Sequence, residues 1–210
     1  MEQKTIGQLL REKLDLTALK EEKMNCLEEL TVERIEIQKD YAKFLLKELS
    51  VVDPDVMLAG GAPRDWDNGK AAKDLDIYIQ GKENESSWSV AHRVCQVLSR
   101  FDLSIERVED SDYGSHSKVR DNGISAVYNL KASIVPVQIV ICEKSQEQVL
   151  ELFDCSTSKI YMRQLGYILK SSEYVVGKKY KTYFLRIDAN QEYKERIRAK
   201  FPDYKEIYVL

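Results

Sequence analysis

The stretch VMLAGGAPRDWDNGKAAKDLDIYIQ, residues 56–80, decides how the rest of this chain is read. It opens as a short apolar run that meets a glycine pair, passes through an Arg-Asp pair, and ends in DLDIYIQ, where polar and apolar residues alternate. Alternation with a period of two marks a half-buried strand. It puts Asp74, Asp76 and Tyr78 on one face and Leu75, Ile77 and Ile79 on the other. Aspartate is depleted from strands, and a charge held against a sheet needs a partner. The two carboxylates either belong to a salt-bridged turn and strand start, or are held about 7 Å apart along one strand face to bind something positive.

The second reading has a definite chemistry. Mg²⁺ takes a few carboxylate oxygens together with water and substrate phosphates. Gly60 and Gly61 carry no side chain, so a triphosphate can approach their backbone closely. Arg64 adds a charge-assisted donor for phosphate, and Asp65 is placed to orient it or to cap a helix. Metal, phosphate and backbone together point to nucleotidyl transfer.

The bulk numbers agree with a compact protein of mixed surface. In 210 residues, 32 Lys and Arg stand against 35 Asp and Glu, a formal net charge of −3. That balance excludes a strongly basic nucleic-acid coat and leaves room for a local basic groove. No apolar run approaches the roughly 20 residues of a membrane-spanning helix, and the start, MEQKTIGQLLREKLD, lacks the apolar middle of a secretory signal. A cytoplasmic protein without membrane contact is expected. Cys26, Cys95, Cys142 and Cys155 lie far apart with no CxxC pair, which predicts reduced thiols rather than structural zinc.

Three regions are expected. Residues 1–52 form a helical N-terminal arm, either a hairpin or one extended helix, with DLT at 15–17 and LTVER at 30–34 as the expected breaks. Residues 53–155 form the core. In it, VMLAGG, DLDIYIQ, LSIERVE, SAVYNLKAS and VPVQIVIC read as strands, Ser87 starts a helix, and SQEQ at 145–148 fits a capping box. Residues 156–210 read as a mainly helical extension. The class is α+β, a mixed sheet backed by helices.

GGAPRD followed nine residues later by DLD resembles the signature of the polymerase-β-type nucleotidyltransferase superfamily, in the form found in CCA-adding tRNA nucleotidyltransferases and in small nucleotidyltransferase-like proteins often carried by phages. The resemblance covers residues 55–160, about half the chain. It implies a nucleotidyltransferase-type sheet, Mg²⁺ or Mn²⁺ on Asp74 and Asp76, and an NTP whose phosphates meet Gly60, Gly61, Arg64 and Asp65. LFDCSTSKI at 152–160 resembles, through Asp154 alone, the Arg-Arg-Asp-Phe-Thr-Ile-Asn segment of that superfamily. The superfamily also uses a third carboxylate on a later strand. The matching position in VPVQIVIC is Gln138, whose amide can offer an oxygen to a metal but cannot act as a base near neutral pH.

The function implied is transfer of an NMP from an NTP to an acceptor hydroxyl of an RNA or tRNA end, a protein or a small molecule. The rivals are a catalytically inactive nucleotide or RNA binder of the same fold, and a protein–protein adaptor working through the helical arm. His92 reads as a packed or surface residue. His116, with Lys118 and Arg120, lies in a polar loop able to close over a ligand, and GKKYKTYF at 177–184 mixes lysines and tyrosines as a single-stranded RNA surface would.

Overall fold

A computed structural model describes residues 6–108 and 123–209, with side chains described from Glu28 onward. The arm is one helix, α1 (Ile6–Leu49), of 44 residues, about 66 Å long. It runs without interruption through the breaks expected at 15–17 and 30–34. Aspartate and threonine cost a helix only tenths of a kcal/mol, and no proline or glycine lies between Leu10 and Val52 to stop it. Ile35, Ala42, Leu45, Leu46 and Leu49 are buried. Leu30 and Val32, where the helix stands clear of the core, are exposed.

The core is a seven-stranded mixed sheet of order β3-β4-β5-β2-β1-β6-β7. Its strands are β1 (Met57–Ala59), β2 (Leu75–Gln80), β3 (Ser104–Arg107), β4 (Ile124–Lys131), β5 (Val137–Cys142), β6 (Ile160–Met162) and β7 (Ile168–Lys170). Within this sheet, among the described residues, only β2 and β5 pair in parallel. Among the described residues, three short or medium helices join them: α2 (Gly61–Asp67), α3 (Ser87–Leu98) and α4 (Gln146–Glu151). The strand alternation read from sequence holds. Leu75, Ile77 and Ile79, with Val137, Ile139 and Ile141, pack under Leu45, Leu46, Val90, Val94 and Leu98. Met57, Ala59, Val127, Val140 and Val149 line the opposite face, with Tyr78 and Phe153 against them.

Helix starts follow side-chain capping. Ser86, one residue before the expected Ser87, caps α3 by accepting from the Ser89 N–H. At α4 the capping box is present in full, Ser145 to the Gln148 N–H and Gln148 back to the Ser145 N–H.

The segment after residue 155 differs from the mainly helical extension expected. β6 and β7 complete the main sheet, and beyond them come α5 (Ser172–Tyr180), β8 (Thr182–Arg186), α6 (Gln191–Lys200) and β9 (Lys205–Val209). β8 and β9 pair in parallel as a separate two-stranded sheet, with α6 as their crossover. Strands of three residues are too short for a period of two to register against the charged residues around them. This βαβ unit closes on its own cluster of Cys155, Tyr183, Leu185, Ala189 and Ile197.

One buried amide ties the arm to the connection between α2 and β2. Gln38, 1% exposed, accepts from the Trp66 indole and from the Ala72 N–H at 2.9 Å each, and donates to the Ala72 carbonyl at 2.9 Å. Replacing Gln38 with Leu strands the indole N–H and both backbone groups of Ala72. We expect a loss of about 2–4 kcal/mol, read as a fall in the urea midpoint. In a Trp88→Phe background, the emission of Trp66 shifts as its indole loses that partner.

Candidate active site

The chain leaves β1 at Ala59 and turns at Gly60, whose φ of +85° is disfavoured for any residue with a Cβ. A Cβ there would meet only Phe153, at an ordinary 3.8 Å, so the backbone angle and not space demands glycine. The Gly60 N–H donates to the Ile160 carbonyl at 3.0 Å and continues the β1–β6 pairing. The Gly60 N–H is thus used within the sheet, and its part in the turn is conformational. Gly61 and Ala62 open α2, in the first turn where N–H groups have no intrahelical acceptor.

Arg64 is buried, at 7% exposure. Its Nε donates to Asp65 Oδ1 at 3.0 Å, its Nη1 reaches Ser158 Oγ at 3.5 Å, and the guanidinium lies 5.8 Å from the centre of the Phe201 ring. Asp65 thereby fixes the Arg64 guanidinium. It does more, because its other oxygen accepts from Lys200 Nζ at 2.9 Å. Arg64 is thus a fixed cation in the wall of the site.

The carboxylates lie where β2 begins. Asp74 is exposed just ahead of the strand, and Asp76, half-buried, is on it. Gln138 is the direct cross-strand neighbour of Asp76, and Asn129 is the neighbour of Gln138. Gln138 Nε2 donates to Asn129 Oδ1 at 3.3 Å. The position expected for a third acid is therefore an amide beside a second amide, adjoining Asp76. Burial, and next the charge of Asp74, push the Asp76 carboxyl up to about 7, against the opposing pull of Arg64 and Arg196. A carboxylate raised this way is one that a cation relieves.

The donor set suits a hard divalent cation. Two carboxylates with amide oxygens beside them fit Mg²⁺ or Mn²⁺, which complete their shells with water and phosphate oxygens. Among the described residues no group of three or more His, Cys, Asp or Glu gathers as an all-protein metal cage.

Asp154 lines a neighbouring groove of about 420 Å³ with Phe153, Lys159, Phe184 and Arg186. Its carbonyl accepts from the Arg186 N–H at 2.8 Å, and its carboxylate lies 4.0 Å from Arg186 Nε. Phe153 links this groove to the site, because it faces both Gly60 and the Tyr78 ring. Sequence reading missed three residues, Asn129, Arg196 and Lys200. The signal for the last two was present in QEYKERIRAK, where Tyr193, Arg196 and Lys200 share one helical face.

The remaining candidates fall elsewhere. His92 is exposed and stacks on Trp88 at 5.6 Å, and His116 lies outside the described residues. Lys178 is bonded to Asp67 and Tyr183 is buried, so the 177–184 segment is partly structural, with Lys179 and Tyr180 left outward. Cys142 and Cys155 are buried free thiols. No helix among the described residues is long and apolar enough to cross a membrane.

No family model and no curated protein matches the sequence. Solved structures do match the fold. A CCA-adding enzyme in an apo form is similar at a TM-score of 0.52 and 17% identity, over 75% of this chain and 35% of that one. The Thermotoga maritima CCA-adding enzyme complexed with tRNA gives 0.51 and 18%, over 75% and 35%. A CCA-adding enzyme with CTP gives 0.51 and 16%, over 75% and 36%. The chain thus has the mixed α+β sheet of nucleotidyltransferase folds and spans about a third of the length of those enzymes.

The raised carboxyl has a consequence for stability. Unfolded, Asp76 ionises near 3.8; folded, near 7. Between these values the folded protein binds the proton more tightly, so its contribution to stability is fully present below about 4, is lost as pH rises to about 7, and is level above. Urea melts in EDTA from pH 5 to 8 should show native stability falling with pH relative to Asp76→Asn by about 2 kcal/mol, and Mn²⁺ should restore it at pH 8.

Proposed function

We propose that this chain carries out metal-dependent transfer of a nucleoside monophosphate from an NTP to an acceptor hydroxyl, with release of pyrophosphate. The observation that carries the reading is the meeting of a glycine turn and a carboxylate pair at one end of the paired central strands β1 and β2, with Asp76 in register beside Gln138. The fold likeness to CCA-adding enzymes, one with CTP and one with tRNA, supports an NTP as donor and an RNA end as acceptor. A protein or small-molecule hydroxyl is compatible with the same chemistry.

Asp74 and Asp76 would hold Mg²⁺ or Mn²⁺, which would neutralise the phosphates and favour attack at the α-phosphorus. The glycine turn lets the triphosphate lie against the backbone, and Arg64, held by Asp65 and Ser158, keeps a positive wall beside it. The acceptor oxygen forms its bond to the α-phosphorus as the bond to the β-phosphate oxygen breaks and pyrophosphate leaves. Gln138 cannot take the hydroxyl proton, which therefore passes to solvent.

The Gln138–Asn129 amide pair favours a second reading, a nucleotide binder without turnover. Exposed Leu30 and Val32 on α1 suit the adaptor alternative, which needs the arm rather than the carboxylates. Label transfer from each of four α-labelled NTPs, with Mg²⁺ or Mn²⁺ and with RNA or protein extract as acceptor, separates these. We expect incorporation by the native protein, a loss of roughly 100-fold or more in the Asp74→Ala/Asp76→Ala double variant, and a gain on Gln138→Asp. NTP binding with no incorporation by any form sinks the transferase and leaves the binder.

A further inference from the structure

The βαβ unit reaches the candidate site through one face of α6. Lys200, at the end of that face, is bonded to Asp65 of the glycine-turn helix. Tyr193 and Arg196 precede it on the same face, at positions i, i+3 and i+7. The Tyr193 phenol lies beside Ser158, the residue that also meets Arg64. Arg196 lies over the Tyr193 ring, 5.1 Å from its centre. These contacts hold Arg196 on the side of α6 turned to the glycine-turn helix, and its charge is felt at Asp76.

The four basic residues of α6 are not equivalent. Lys194 is held by the Ile187 carbonyl at 2.7 Å. Arg198 makes a two-pronged bond to Glu206 at 2.8 and 2.9 Å, and Lys200 is held by Asp65. Arg196 is exposed and, among the described residues, has no ion-pair partner. An arginine braced on an aromatic ring, near Asp76 and tied to no carboxylate, is suited to a polyanion bridging it to a metal on the aspartates.

We propose that Arg196 grips the polyphosphate of the bound nucleotide, so that the C-terminal βαβ unit forms the second wall of the site. The inference rests on the NTP-binding reading above and assigns its phosphate-binding cation to α6, with Arg64 as a positioning residue behind it. The grip is electrostatic and bidentate, so it acts on the phosphates whatever the base.

The test is equilibrium binding by calorimetry, in Mg²⁺, of ATP, CTP, GTP and UTP and of inorganic tripolyphosphate, to the native chain and to Arg196→Ala and Arg196→Lys. Thermal melts run alongside, and an exposed side chain should leave the melting temperature unmoved. We expect Arg196→Ala to weaken the preferred NTP and tripolyphosphate alike, by about 10- to 100-fold, with Arg196→Lys recovering part of the loss. Unchanged affinity for both ligands overturns the assignment while leaving the transferase reading standing. A loss confined to NTPs, with tripolyphosphate bound as before, also overturns it, because the residue would then be reading the nucleoside. A native protein that binds no NTP brings down the reading beneath it.

Discussion

A single buried amide makes this architecture possible. Gln38 sits on the arm helix, and its side chain meets the indole of Trp66 and both backbone groups of Ala72. Those two residues bracket the connection between the glycine-turn helix and the strand that carries Asp76. The connection is short, polar and partly exposed, with Gly69 at φ +66° and few apolar residues to anchor it. Without a fixed point it would let the two halves of the site move independently. A glutamine satisfies three groups at once because it carries both a carbonyl and an amide. No apolar residue of similar volume could do so, and burying the unpaired groups would cost more than the contact gains. The arm thus holds the site in shape from the opposite face of the sheet.

Charge around the site is arranged asymmetrically. Asp65 is shared by Arg64 and Lys200, so one anion faces two cations and that corner carries a positive surplus. Asp74 and Asp76 form the negative corner, and their mutual repulsion with burial raises Asp76. Neither corner is satisfied alone. A metal cation suits the second and a phosphate chain suits the first, and a metal-nucleotide complex answers both together. This complementarity is independent of any likeness to known structures. It follows from which charges are paired and which are left over.

What the sequence disclosed was local. The alternation of DLDIYIQ put Asp76 and Tyr78 opposite Leu75 and Ile77 because a strand has no other way to dispose them. The same rule made Gln138 the polar exception in VPVQIVIC, and the parallel register then brought it beside Asp76. The capping box at Ser145 was legible for the same reason, being closed within four residues. What stayed hidden was distant in the chain. The bond from Lys200 to Asp65 spans 135 positions, and nothing in either neighbourhood announces it. Strands β6 and β7, three residues each, gain their place from pairing, β6 with β1 and β7 with β6, rather than from their own pattern. Arg64 looked like a free phosphate donor because sequence cannot reveal that Ser158 and Phe201 close over it.

The amide at 138 bears on what such a site can do. A carboxylate there would add a negative charge and a proton acceptor; Gln138 adds neither, and its bond to Asn129 orients one amide by the other. The negative corner is then limited to two aspartates, which holds a cation less tightly than three would and makes the phosphates a larger share of its ligands. Metal and nucleotide should therefore bind cooperatively, each weak without the other. Such coupling makes the cations on the opposite wall matter more. With fewer protein charges on the metal side, the proposed complex would need its polyphosphate held from the other side, which is the side we assign to α6.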